Sequence, residues 1–292
     1  MTVKTTRTLV ALAVVLGLAM LPATAVAQGG YSPVTDQRLV KPEPENWLQI
    51  RGNYQGWGYS PLGQINVNNV KKLTPVWAFS TGVGSGHEAP PIVNNGVMFV
   101  ATPYSQVIAL EAKTGKLIWR YKRELPEDFK ALHNTSRGIA LFGDKVYVAS
   151  LDCSLVALDA KTGKVAWEKK VEDYHTGYYM TLAPLVAKGK VMVGVSGGEF
   201  GVRGFVQAFD ARSGEPAWKT YTVPGPGEPG NNTWSGDTWK RGGASVWLTG
   251  TYDPELGLTY WGTGNASPWF GDQRAGDNLY TASTVAIEPD TG

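Results

Sequence analysis

Ala157-Leu158-Asp159-Ala160-Lys161-Thr162-Gly163-Lys164-Val165-Ala166-Trp167 decides the fold because it is one of a series. An earlier copy, Ala109-Leu110-Glu111-Ala112-Lys113-Thr114-Gly115, closes on Trp119, and a later one, Ala208-Phe209-Asp210-Ala211-Arg212-Ser213-Gly214, closes on Trp218. A fourth, Ala286-Ile287-Glu288-Pro289-Asp290-Thr291-Gly292, reaches its glycine at the last residue. In each copy a short apolar run meets an acid whose side chain can accept turn hydrogen bonds, then a glycine free to take positive φ, and in the first three a second run ending on tryptophan follows. That order of residues specifies a strand, a tight turn and a returning strand.

The tryptophans recur with a period of roughly 40 to 50 residues, as expected of propeller blades built from four-stranded sheets. Trp77, in Leu73-Thr74-Pro75-Val76-Trp77-Ala78-Phe79, reads as a degenerate earlier member. Between the repeats lie further strand pairs split by turn residues: Ile92–Val100 around Asn94-Asn95-Gly96, Ile139–Ala149 around Gly143-Asp144, and Leu185–Val193 around Lys188-Gly189. Two hairpins per period make one blade. The expectation is an all-β propeller of four-stranded blades, about four of them in this length, with aromatic packing between blades. The 36 glycines, 18 prolines and 11 tryptophans fit that turn-rich design, and no sustained helical period follows the leader.

Residues 1–27 read as a secretory signal peptide: Lys4 and Arg7 open it, Leu9–Leu21 is uncharged and apolar, and Ala25-Val26-Ala27 is a cleavage site before Gln28. The apolar run is shorter than the roughly 20 residues a membrane span needs, so no stable membrane insertion is expected. The destination is the bacterial periplasm, and the mature domain is 28–292. Removing the leader takes away two basic residues and no acid, leaving 25 of each sign and no net charge. With no basic tract to follow phosphates, nucleic acid is not an expected partner. Cys153 is the only cysteine and cannot form an intramolecular disulfide; it reads as a buried structural thiol. His87, His133 and His175 lack metal-ligand spacing, which argues against a zinc hydrolase.

Other segments carry groups that a scaffold would not need. Ser85-Gly86-His87-Glu88 sets an acid at a strand entrance, and Asn134-Thr135-Ser136-Arg137-Gly138 sets an arginine at the corresponding place one blade later. Val195-Ser196-Gly197-Gly198-Glu199 ends a strand in small groups and a carboxylate. Ala244-Ser245-Val246-Trp247 and Gly262-Thr263-Gly264-Asn265 add an aromatic plane and an amide. Their similar phase within each blade predicts that they converge near one end of the propeller axis.

Taken with Thr181-Leu182-Ala183-Pro184, the run Gly194-Val195-Ser196-Gly197-Gly198-Glu199-Phe200-Gly201-Val202-Arg203-Gly204 and Gly262–Trp269, these segments resemble the quinoprotein alcohol dehydrogenases, the methanol and ethanol dehydrogenase family that uses pyrroloquinoline quinone (PQQ). The resemblance runs from about Asn46-Trp47 to the last residue. It implies that Glu199 and Asn265 bind calcium or a lanthanide ion through oxygen, and that Trp247 lies against one face of the PQQ rings. It further implies that Arg137, Thr181 and Ser196 receive the cofactor carboxylates, that Glu88 hydrogen-bonds the cofactor, and that Gly197 and Gly198 let the backbone approach it. The implied reaction is oxidation of a primary alcohol at a metal-polarised quinone carbonyl, with a cytochrome c taking the electrons.

Two features depart from the family pattern. Ala131 and Leu132 stand where many members carry adjacent bonded cysteines, so an aliphatic lid would replace the disulfide. The family's catalytic aspartate and its remaining four blades fall past Gly292, so no catalytic residue is assigned within 1–292. The expectation is therefore the amino-terminal half of an eight-bladed propeller, cut inside a repeat, with exposed blade faces prone to oligomer formation. The alternatives are a non-enzymatic periplasmic scaffold of the kind that assists outer-membrane assembly, or a truncated pseudoenzyme.

Overall fold

A computed structural model describes residues 31–292, so the leader and its cleavage site lie outside the described residues. Four antiparallel sheets follow one another along the chain. The first contains β1 (Ile92–Asn94), β2 (Val97–Thr102), β3 (Gln106–Glu111) and β4 (Leu117–Lys122). β5 (Ala140–Phe142), β6 (Lys145–Ala149), β7 (Ser154–Asp159) and β8 (Val165–Lys170) form the second. The third holds β9 (Leu185–Ala187), β10 (Lys190–Gly194), β11 (Phe205–Asp210) and β12 (Pro216–Tyr221), and β13 (Thr251–Asp253), β14 (Leu258–Gly262) and β15 (Thr284–Ile287) form a three-stranded fourth. Each is a simple meander in chain order. The one α-helix among the described residues, α1 (Asp36–Val40), has five residues.

Burial follows strand position. β3, β7 and β11 are buried along almost their whole length, which is why Val107–Leu110, Leu155–Leu158 and, apart from Gln207, Phe205–Phe209 carry apolar side chains on both faces. The outer strands β4, β8 and β12 are largely exposed and alternate in character. Each is paired to its neighbour with a one-residue register shift beside the alanine of the repeat, at Ala109/Leu110, Ala157/Leu158 and Ala208/Phe209. The shift is a β-bulge that sharpens the local twist and swings the tryptophan opposite that alanine toward the next sheet.

The repeated phrase is thereby explained in full. Within each turn the glycine amide donates to the acid's carbonyl, as from Gly163 to Asp159 at 2.8 Å, and the acid's side chain accepts from Thr162 or its counterpart. The turn then serves as the seat for the preceding blade's indole. Trp77 sits on Gly115, Trp119 on Gly163, Trp167 on Gly214 and Trp218 on Gly292. Trp77 thus belongs to the series although its segment, expected as a strand, is paired in no sheet. At three junctions the indole nitrogen also donates to the carbonyl following the acid: Trp77 to Ala112, Trp119 to Ala160 and Trp218 to Pro289, at 3.2, 3.0 and 2.8 Å. At the fourth, the Tyr147 hydroxyl takes that carbonyl, Ala211, at 2.7 Å, and the buried Trp167 nitrogen has no partner. The junction tolerates this because the ring outweighs the bond. An indole buries on the order of 200 Å², worth at most ~5 kcal/mol at about 25 cal/mol per Å², against about 1 kcal/mol net for a hydrogen bond.

A strap formed by residues 31–58 ties the sheets together from their first strands. Val34 pairs with Gly143 at the β5–β6 turn and Trp47 pairs with Val93 of β1. The Tyr54 hydroxyl donates to Val186 of β9 at 2.6 Å, and its carbonyl accepts from Thr251 of β13. Arg38 clamps Glu43 through two nitrogens and reaches Asn94, holding the Glu43 carboxyl down at about 2. Because the folded value lies below the ordinary one, that link is present above the normal carboxylate range and is lost as pH falls toward 2. Trp57, near the end of the strap, and Val67 and Val76 beyond it are exposed.

A β-carbon at Gly163 would stand 2.6 Å from the Trp119 ring, whereas at Gly143, also at positive φ, it would meet nothing. Gly143→Ala should therefore cost only the left-handed backbone penalty of about 1–2 kcal/mol. Gly163→Ala should cost about 1–3 kcal/mol more through overpacking. Urea denaturation of both variants measures the difference.

Candidate functional site

The segments leading into the blades are stitched to one another through their main chains, and this is what gathers the polar residues. His87 bridges Ser136, the Arg137 amide donates to the Thr181 carbonyl at 2.8 Å, and Tyr179 bridges Ser196. Further round, Arg203 bridges Gly243, Gly243 bridges Ala266, and the Ala244 amide donates to Asn265 at 2.9 Å. The ladder gathers residues from the segments of the second, third and fourth sheets around one cavity of about 260 Å³. Arg137, Thr181, Ser196, Gly197, Gly198, Glu199, Trp247 and Asn265 all line it. Glu88 does not; it lines an adjoining cavity of about 500 Å³ and reaches the first through Arg137, which lines both.

Arg137 is the hub. Nη2 pairs with Glu88 at 3.0 Å, Nη1 donates to the Thr181 hydroxyl at 2.6 Å, and the guanidinium stands 4.8 Å from the Trp247 ring centroid. Thr181 and Ser196 are buried, with hydroxyls 3.2 Å apart, so the positive group is backed by a short polar chain. Trp247 lines the cavity and is 40% exposed. Gly197 and Gly198 are required by the chain's own packing: a β-carbon at Gly197 would fall 2.2 Å from the Gly177 carbonyl oxygen, and one at Gly198 would fall 2.9 Å from Ser245 Oγ.

The cation-binding pair expected from the sequence also faces the cavity. Glu199 is half-buried and Asn265 exposed. Glu199 Oε1 accepts from the hydroxyl of Tyr179, while among the described residues no group donates to Oε2. Burial, and then the bond to Glu199, push the Tyr179 phenol above its ordinary range, with the Leu132 backbone acting in the opposite direction. One carboxylate and one amide oxygen form a hard donor set of the kind calcium and lanthanide ions take, and six to eight such ligands complete a calcium shell. The two residues fit part of such a site. Among the described residues no cluster of three His, Cys, Asp or Glu side chains forms elsewhere.

Sequence reasoning missed Tyr179 and left Ser245 and Trp269 without a role, although all three line the cavity. The signal for Tyr179 was its place two residues before Thr181, which puts both on one face of an extended segment. Leu132, expected as part of an aliphatic lid, does line the cavity and is exposed; Ala131 does not. Cys153 is fully buried and free, with its thiol pushed up by burial, and takes no part.

Residues 47–292 match the PQQ family described as glucose/ethanol/alcohol dehydrogenase, beta-propeller domain. The chain belongs to this family. Among its relatives, the quinoprotein alcohol dehydrogenase PedH of Pseudomonas putida is 42% identical over 94% of this chain and 49% of its own length. Methanol dehydrogenase [cytochrome c] subunit 1 of Paracoccus denitrificans is 37% identical over 97% of this chain and 48% of its own length. A europium-containing methanol dehydrogenase of known structure superposes with a TM-score of 0.83 at 39% identity, covering 88% of this chain and 49% of that one. The chain thus spans about half the length of these relatives, and its four sheets are blades of the family's propeller.

In this PQQ-family propeller the Arg137–Thr181 bond is an internal strut. Thr181→Val should cost about 1.5–3 kcal/mol, as loss of a hydrogen bond to a charged group does. Ser196→Ala, removing a neutral hydroxyl partner, should cost about 1 kcal/mol or less. Thermal and urea unfolding of the two variants test that order.

Proposed function

We propose that this chain supplies the cofactor and cation pocket of a PQQ-dependent dehydrogenase that oxidises primary alcohols to aldehydes in the periplasm, passing electrons to a cytochrome c. The observation that carries the reading is one cavity lined by Glu199, Asn265, Arg137 and Trp247, residues from three successive sheets that the family resemblance selects in advance.

Each residue's part follows from its chemistry. Trp247 offers an apolar plane to a flat aromatic ring system. Arg137 offers a fixed positive fork for carboxylates, with Thr181 and Ser196 as neutral hydrogen-bonding partners behind it. In the structure the guanidinium already lies over Trp247, so a planar acid can be stacked there only if Arg137 shares or leaves that face. Glu88 pairs with the arginine from the adjoining cavity and offsets its charge. Glu199 and Asn265 would hold the calcium or lanthanide ion, and Gly197 and Gly198 keep the wall thin beside Glu199. Leu132 lends the cavity an apolar edge. When bound, PQQ supplies the two-electron acceptor and the cation polarises it. The proton-accepting aspartate of the family has no counterpart among the residues assigned here.

Equilibrium dialysis with PQQ and calcium tests the proposal. The protein should retain PQQ in a calcium-dependent way, and Arg137→Ala should weaken retention roughly ten- to hundredfold, the worth of a charge-assisted bond or two. Retention no better than that of an unrelated protein sinks the reading. For the periplasmic location, amino-terminal sequencing of exported protein should begin at Gln28; an uncleaved chain starting at Met1 would count against it.

A further inference from the structure

Between Arg123 and Asn134 the chain crosses residues 124–133 in no strand or helix and without one buried residue. The ends of this segment are well held: Arg123 pairs with Asp152 and Glu168, and just past the other end Arg137 bonds Thr181. Its last two residues, Leu132 and His133, line the cavity of about 260 Å³. A segment with so little burial opens at low free energy unless its middle is tied.

That middle is tied at Asp128, across to the short turn Tyr174–Thr176. Asp128 Oδ1 accepts from the Tyr174 hydroxyl at 3.1 Å, and Oδ2 lies 3.3 Å from His175 Nε2. The other ring nitrogen, Nδ1, lies 2.7 Å from Asp173 Oδ1. Tyr174 stacks on the imidazole with centroids 4.0 Å apart, and Lys170 of β8 pairs with Asp173 at 3.4 Å. The titratable groups about His175 are therefore Asp173 and Tyr174 on its own turn, Asp128 across from it, and Lys170 behind Asp173. The bond from His175 is the first cause holding the Asp173 carboxyl below its ordinary range, so Asp173 stays ionised in mild acid.

Both ring nitrogens thus face carboxylate oxygens. A neutral imidazole has one N–H and can serve only one of them, whereas the imidazolium donates to both. With Asp173 the nearer partner, a single hydrogen stays on Nδ1, and Nε2 then turns a lone pair toward Asp128. We propose that His175 is a pH-sensitive clasp for residues 124–133. Protonated, it ties Asp128, and with it the segment bearing Leu132 and His133, to the turn that leads into Thr181. Neutral, it releases Asp128 to the Tyr174 hydroxyl alone. The added hold is present at low pH and is lost as pH rises through the range in which imidazoles change charge. Both tied segments wall the same cavity, so the clasp sets how firmly its Leu132 edge is held, whatever ligand fills it.

Electron paramagnetic resonance of a nitroxide carried on Lys130→Cys reads the motion of this segment in the whole chain. Lys130 is exposed, and Cys153 is fully buried and does not compete for the label. The ratio of immobilised to mobile label should fall about two- to fivefold between about pH 5.5 and about pH 7.5, the size that an exposed ion pair allows. Adding His175→Gln, or Asp128→Asn, should leave the ratio at its low value at both pH values. No pH change in the parent labelled chain overturns the clasp. So does a variant that keeps the parent's pH change, even if its label is more mobile throughout, because His175 or Asp128 would then serve only as packing. A nitroxide on Lys113→Cys, in the exposed turn of the first repeat, is the control. Its spectrum should not change with pH, and a parallel change there would show a general loosening and overturn the proposal.

Discussion

Closing a tryptophan ring against the glycine turn of the following repeat is the contact on which everything else in this chain depends. A four-stranded sheet has two faces and cannot bury both alone, so each blade is stable only when its neighbour is in place. The glycine has no β-carbon because the indole occupies that space, and the acid of the same phrase folds the turn that presents it. One eleven-residue phrase therefore encodes both the hairpin and the joint between blades. The joint survives at Trp167 with its nitrogen unpaired because burial of the ring is several times larger than the hydrogen bond.

Those joints set the angle between successive sheets, and that angle brings the site together. The loops entering the blades run side by side, pair through their backbones and present Arg137, Thr181, Glu199, Trp247 and Asn265 to one volume. Polar chemistry is thus mounted on a largely apolar frame, whose own polar side chains serve its turns and its strap. The arginine is kept in place by a carboxylate on one side and a hydroxyl on the other, a balance that holds a charged group partly buried without stranding it.

Much of this could be read from residue order. The phrase fixes hairpin positions because turn chemistry is local, and the strand pairs around Asn95-Gly96 and Lys188-Gly189 fall where the turn residues indicate. The site residues were legible through a resemblance, since no local pattern says that Arg137 and Trp247 meet across more than a hundred positions. Tyr179 was not legible, because an aromatic residue in an extended segment is normally a packing residue and only the fold shows where its hydroxyl lands. Glu88 shows the opposite limit: its phase in the blade is right, but the side chain lies behind Arg137 instead of lining the same cavity. The unpaired course of the Trp77 segment also escaped, since its composition suits a strand and only the absence of a neighbouring edge leaves it alone.

The strap made by residues 31–58 has a consequence for how the chain acquires its structure. Hairpins within a blade join residues close in sequence and can form as soon as they are synthesised, each leaning on the one before. The strap is made first, yet its bond from Tyr54 to Thr251 spans 197 positions. It must therefore wait, partly undocked, until the fourth sheet exists, and its docking comes after the local hairpins. Early synthesis with late capture makes its final seating the step that commits the four blades to a single cooperative unit.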